Sequence, residues 1–356
     1  MSRLTVLAGP TAAASAAAVA AVAAARHPGR ALAAVWPDPR IRRLARLNLA
    51  GTIVVALLAA TALADRLSEG AAAADADVPR VLPRSLPYGK GMWIWQPDKT
   101  ERGDVGAIIA RAEHVGLTHL YVRTGSSWDG FYAGPFLDRI LPAAHAAGIR
   151  VYGWDFPRLL DPAADVARAV AAVDYRTPGG HHIDGFAPDI ETAAEGTHIT
   201  AESATAYGVG LRQALGRRLP LVAVVPRPSP ARATFPYREV VAHFDAVAPM
   251  VYWLNREPGT DVAGAVADLR PLGKPIFPIG QAYDGAPEGG RRGVPPRAEL
   301  HRFMEVAYDT GASGVSFWSW QAANAEAFDS IRDAPEFRVR VTGRGTFNRT
   351  GPLLRR

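Results

Sequence analysis

Between residues 88 and 336 the chain alternates eight times between a short apolar run and a longer stretch of helical period. The apolar runs, rich in Val, Ile, Tyr and Trp, fall at 91–96, 118–123, 149–155, 183–191, 220–226, 246–253, 275–281 and 314–320. Helical periodicity fills 104–115, 137–147, 161–174, 200–216, 261–271 and 297–310. The fifth unit is the weakest: 227–237 is Pro-rich and only 238–244 remains for a short helix. Asp104, Asp161 with Pro162, Thr200 and Asp261 stand where helix N-caps belong, and Gly116, Gly148 and Gly311 where helices end. Strands joined through helices run parallel, and eight such units over about 245 residues predict a closed (β/α)8 TIM barrel. A doubly wound open sheet is disfavoured, because no Gly-rich phosphate loop follows any of the runs.

The formal charge of +6 and pI near 9.8 suggest a nucleic-acid partner until the charges are placed. Residues 1–46 hold seven arginines and one acid (Asp38), and residues 337–356 hold six arginines and no acid. The stretch between them is therefore mildly acidic, which disfavours a nucleic-acid-coating domain. The chain has no cysteine, so disulfides, thiolate metal sites and a Cys nucleophile are excluded. Residues 47–64, LNLAGTIVVALLAATALA, carry no charge and are just long enough to span a bilayer as a transmembrane helix. Arg40, Arg42, Arg43 and Arg46 precede this run, so its N-terminal flank should stay cytoplasmic and the chain beyond residue 64 should be exported. Ala62-Leu63-Ala64 also fits a small-x-small cleavage site, which would make the run a signal peptide and the product secreted. The expected organisation is a basic, Ala-rich region (1–46), the apolar run (47–64), a linker (65–87), the barrel (88–336) and an Arg-rich tail (337–356).

Active sites of such barrels lie at the C-terminal ends of the strands. The residues expected there are Trp95, Gln96, Arg123, Asp155, Asp189, Glu191, Tyr252, Trp253, Gln281, Trp318, Trp320 and Gln321. Aromatic faces suit the C–H surfaces of sugar rings, while carboxylates and amides bind hydroxyls. Trp93 and Trp154, deeper in their strands, are assigned to packing. The most informative group is Asp189-Ile190-Glu191. Alternate side chains of a strand share a face, so both carboxylates should point one way, roughly 6.6 Å apart along the chain. Two such acids disfavour each other's ionisation, which supplies a protonated general acid near neutral pH. Glycosidic cleavage needs that acid on the leaving oxygen and a second group to stabilise the positive ring. Structural pairing of the two acids with Arg123 or Arg227 is the alternative. His181-His182 before a strand reads as loop rather than as metal ligands, and no Gly-x-Ser-x-Gly nucleophile elbow is present. No metal or other cofactor is expected.

The segment Ile183-Asp184-Gly185-Phe186-Ala187-Pro188-Asp189-Ile190-Glu191 resembles the fourth-strand signature of family 18 chitinases. Met250-Val251-Tyr252 resembles the sixth-strand Met-x-Tyr of the same family, and Trp318 or Trp320 its floor tryptophan on the last strand. The resemblance implies that Glu191 protonates the glycosidic oxygen. It also implies that Asp189 orients a 2-acetamido group that attacks the anomeric carbon, and that Tyr252 hydrogen-bonds that acetamide. Two positions depart from the pattern: Ala187 replaces the first Asp of the pair, and Trp253 replaces the Asp after Met-x-Tyr. Barrels related to family 18, and family 25 lysozyme-like barrels, also keep a D-x-E. In a direct-nucleophile variant Asp155 or Asp189 would be the second carboxylate, its distance from Glu191 choosing retention or inversion. The expectation is a membrane-anchored or exported bacterial glycoside hydrolase-like protein acting on an amino-sugar polysaccharide of the cell envelope, with no nucleic-acid partner. A non-catalytic glycan-binding barrel is the alternative. An envelope scaffold whose arginine tail contacts acidic polymers is a third reading.

Overall fold

A computed structural model describes residues 86–334 of the chain. The apolar run 47–64, the flanking basic region, most of the linker and the Arg-rich tail lie outside the described residues. Among the described residues no helix is long and apolar enough to cross a membrane.

Among the described residues, eight parallel strands alternate with eight α-helices. The strands are β1 (Gly89–Ile94), β2 (His119–Ser126), β3 (Arg150–Phe156), β4 (Gly185–Phe186), β5 (Val222–Pro226), β6 (Ala246–Val251), β7 (Ile279–Gln281) and β8 (Gly314–Trp318). The helices are α1 (Val105–Val115), α2 (Gly134–Ala146), α3 (Pro162–Asp174), α4 (Ala201–Leu215), α5 (Tyr237–Ala242), α6 (Pro258–Leu269), α7 (Arg297–Asp309) and α8 (Ala325–Asp333). Hydrogen bonding runs from β4 through β3, β2, β1, β8, β7 and β6 to β5. The two ends of that path meet: Phe186 bridges Leu221, Asp189 bridges Val224, and the Ile190 N–H donates to the Val224 carbonyl at 3.1 Å. The sheet is thus closed, which removes its edges. A two-residue strand, Gly130–Phe131, folds back antiparallel onto the end of β2.

The ladder of β4 is shorter than its apolar run, because Pro188 has no N–H to donate. The chain stays extended beyond it, with the Ala187 and Asp189 amides bonding the Gly153 and Asp155 carbonyls at 2.8 and 2.9 Å. Asp104, Asp161 and Thr200 each accept a bond from the first turn of the helix they precede. Asp261 does not: α6 starts a turn earlier, capped by Glu257 and opened by Pro258, and Asp261 instead pairs with Arg256 at 2.7 Å. The final helix, α8, had no counterpart among the helical stretches; Asn324 caps it and it completes the eighth unit.

Two apolar layers result. One lies between sheet and helices. The other fills the barrel and holds Trp93, Tyr121, Tyr152, Trp154, Ala187, Val222, Val224, Ala246, Ala248, Met250, Phe277 and Ile279. Its bulk is lopsided: most of the large rings come from β1 to β3, with Phe277 ahead of β7, while Ala187, Val222, Val224, Ala246 and Ala248 are small. A closed interior requires that complementarity at crystal-like density. Gly185 shows how tight it is, since a Cβ there would stand 2.4 Å from the Tyr152 ring. Asp184, one residue earlier, accepts from the Val151 N–H at 2.8 Å and contacts His145 Nε2 at 3.0 Å, tying the entry of β4 to β3 and α2.

Candidate active site

The strand ends open on an aromatic floor. Trp93 stacks on Tyr121 at 4.0 Å, and Trp318 meets Trp93, Trp154 and Trp95 at 6.0, 5.4 and 6.0 Å. Trp93 and Trp154 are buried, their indole N–H groups spent on Ser316 Oγ and the Ile94 carbonyl. Trp318 is half-buried, and Trp95 is 40% exposed at the rim.

Beside this floor, past Pro188, stand Asp189 and Glu191. Ile190 between them is buried in the layer under the helices, so the two carboxylates share the opposite face. Both hold their protons more tightly than ordinary carboxyls. For Glu191 the first cause is burial and the next is the charge of Asp189, with Arg232 and the Thr192 N–H opposing. For Asp189 burial again leads, then the Asp155 charge, with Arg123 opposing. Asp189 Oδ1 is buried without a hydrogen-bond partner. Tyr252, at the end of β6, lies within the field of both: burial and then the charges of Asp189, Tyr283 and Glu191 keep its phenol neutral. A neutral phenol is a hydrogen-bond donor.

Alternation explains which expected residues do not join them. Tyr252 faces inward, so Trp253 must face outward; it is fully buried, donates to Glu299 Oε2 at 2.9 Å and stacks on Phe303. Asp155 likewise follows the inward-facing Trp154. Behind the sheet it is clamped by Arg168 at 2.7 Å, and burial, opposed by that arginine, pushes its carboxyl up to about 6. Trp320 has the same parity as Trp318, but the chain leaves the strand at Trp318 and turns at Trp320–Ala322. Its ring packs on Phe328 and donates to Glu101 Oε1 at 3.1 Å. Gln281 is buried with both ends used, accepting from the Leu254 N–H and donating to the Tyr283 carbonyl. The Gln321 carboxamide is buried with neither end hydrogen-bonded. Arg123 lies on the inner side, its guanidinium 5.5 Å above the Trp154 ring.

Tyr283, absent from the residues expected at the strand ends, belongs with the group. It meets Tyr252 edge-on at 5.5 Å, and its hydroxyl donates to Glu288 Oε2 at 2.9 Å. Its position two residues after Gln281 was the available signal, masked by the Gly/Pro-rich loop after it. A separate cavity of about 350 Å³ lies at the other end of the barrel, among Arg212, Arg217, Asp245 and Lys274. Both of its arginines are already paired with Asp245, and it holds none of the carboxylates above.

No protein-family profile matches the chain, and no curated protein matches it in sequence. Its structure does have matches. A chitinase from Chromobacterium violaceum superposes with a TM-score of 0.53 at 13% identity, over 69% of this chain and 98% of that one. The spore cortex-lytic enzyme SleL of Bacillus cereus gives 0.52 at 12%, over 70% and 75%. A glycoside hydrolase family 18 N-acetylglucosaminidase from Paenibacillus barengoltzii gives 0.50 at 14%, over 69% and 99%. The fold is that of family 18 and related TIM-barrel glycosidases, at a long sequence distance.

Proposed function

We propose that this divergent family 18-like barrel is a glycoside hydrolase acting on an oligosaccharide or polysaccharide that contains 2-acetamido sugars. The observation that carries the reading is the Asp189–Glu191 pair: two carboxyls on one face at the strand ends, with raised proton affinity, beside a neutral tyrosine. A carboxyl that is still protonated near neutral pH can give its proton to a leaving oxygen. Glu191 is the donor. As its proton passes to the glycosidic oxygen, that C–O bond breaks. The substrate's acetamide oxygen closes on the anomeric carbon, with Asp189 holding the acetamide N–H and Tyr252 donating to its oxygen. Water then adds at the same carbon, the bond from that carbon to the acetamide oxygen breaks to restore the acetamide, and the water's proton passes to Glu191, so the enzyme ends as it began. Trp318 and the exposed Trp95 supply faces for the sugar rings. The structural likeness to a chitinase, an N-acetylglucosaminidase and a cortex-lytic enzyme supports this substrate class.

One observation favours a second reading, a barrel that binds glycans without cutting them. Ala187 stands in the barrel interior where the family pattern has a carboxylate, so Asp189 lacks that partner. Incubating the full chain and its Glu191→Gln variant with N-acetylglucosamine oligomers separates the two. Hydrolysis by the parent alone, with binding by both, is expected; binding by both with cleavage by neither would establish the second reading. The arginine-flanked run 47–64 supports export of the barrel, either anchored or released after Ala64.

A further inference from the structure

Arg123 borders the candidate site close to Asp189. It lies on the inner side of β2, level with Trp154 on β3, at the end of the regular ladder. Its guanidinium sits over the Trp154 ring, and its Nε is buried without a hydrogen-bond partner. No described carboxylate forms an ion pair with it, although Asp155 and Asp189 are both near enough for it to favour their ionisation. Asp155 is committed to Arg168 on the far side of the sheet, where Arg168 also holds Asp165 at 2.6 Å.

The contrast between the two arginines is informative. Burying a guanidinium costs free energy unless carboxylates or hydrogen bonds compensate, and Arg168 has both. Arg123 has an aromatic face, which compensates in part, and keeps its planar fork of donors unspent. A fork of that kind matches a carboxylate in bidentate geometry, and charge-assisted bonds are about twice as strong as neutral ones. The neighbouring rim carries Trp95 and Tyr132, both exposed enough to flank a sugar ring.

We propose that Arg123 forms a subsite for a carboxylate carried by the sugar chain, so that the preferred substrate is an acidic amino-sugar polymer rather than a neutral one. This rests on the glycosidase reading and narrows its substrate class. The carboxylate could be borne on a lactyl ether at O3 or as a C6 uronate; the chemistry at Arg123 is the same.

The test is calorimetric titration of the full chain, carrying Glu191→Gln to prevent turnover, with three tetrasaccharides. One is the neutral N-acetylglucosamine tetramer. The second alternates N-acetylglucosamine with its 3-O-lactyl ether, and the third alternates it with glucuronic acid. One of the acidic sugars should bind at least about tenfold more tightly than the neutral tetramer, and which one identifies the source. Adding Arg123→Gln should abolish that preference, bringing the acidic sugar's affinity down to the neutral tetramer's, with an unchanged circular dichroism spectrum reporting an intact fold. Arg123→Lys should keep part of it. Equal affinity for all three sugars, or a preference that survives Arg123→Gln, would overturn the subsite and leave the glycosidase reading standing. Loss of neutral and acidic binding alike in Arg123→Gln would make Arg123 a packing residue. Failure of the parent to bind any of the three would overturn both.

Discussion

At the scale of single residues, the account turns on proton affinity. Asp189 and Glu191 hold protons more tightly in the fold than in the open chain, chiefly because they are buried. Such groups bind more protons in the native state, so the stability they allow is full at low pH and is lost as pH rises through their folded values. His119, pushed down to about 3 by burial, acts with the opposite sign, but only below its ordinary value of 6.5. Asp189 loses its contribution between its ordinary value of 3.8 and its folded value of about 7, and His119 is common to both proteins, so the parent's melting temperature should fall relative to that of Asp189→Asn as pH rises across that range; a constant difference would remove the electrostatic argument. Tyr252→Phe, which removes the donor but keeps the ring, should lower kcat by up to about 10²-fold on acetamido substrates with little change in KM. An unchanged kcat would take Tyr252 out of the chemistry. The D-x-E spacing makes the pair legible in the sequence itself, because period-two alternation requires a shared face. The same rule, applied one residue further, separates Tyr252 from Trp253 and Trp154 from Asp155. Strand-end position alone had grouped Asp155, Tyr252 and Trp253 together. Arg168, which decides where Asp155 goes, lies a loop and a helical turn downstream and leaves no mark in the strand pattern.

At the scale of elements, the units were legible because each strand run and each capped helix carries its own local signal. Asp104, Asp161 and Thr200 announce helices through bonds made within three residues. The signals weaken where tertiary contacts decide. Pro188 cuts the ladder of β4, and α8 packs Phe328 against Trp320, a pairing that no local pattern encodes. Two contacts between elements are open to measurement. Arg168 joins α3 to β3 through Asp155 and also holds Asp165 on its own helix, so Arg168→Met leaves buried carboxylates uncompensated. It should cost about 3–5 kcal/mol in denaturant unfolding. A cost below about 1 kcal/mol would mean that the cluster is solvated. Gly185 lies against Tyr152 across the β3–β4 pair, so Gly185→Ala should overpack the interior by about 1–3 kcal/mol. Shortening the neighbour with Tyr152→Leu should recover part of that loss, and strict additivity of the two changes would contradict the contact.

At the scale of the molecule, the charge map and the fold agree. A mildly acidic sequence between two arginine-rich ends forms a closed barrel whose chemistry-bearing carboxylates gather at one mouth, beside a tryptophan floor. Substrate choice was less legible than fold, because it rests on which donors remain unspent. Arg123 can be told from Arg168 only once their partners are known. The central claim is that Glu191 is the proton donor to a leaving oxygen, and leaving-group dependence tests it most directly. In the full chain, kcat/KM should be compared for the parent and Glu191→Gln on an N-acetylglucosamine oligomer and on a 2,4-dinitrophenyl glycoside of the same sugar. The dinitrophenolate departs without a proton. The variant should therefore lose about 10²–10⁴-fold on the oligomer and far less on the aryl glycoside. Equal loss on both substrates, or no loss on the oligomer, would contradict the account.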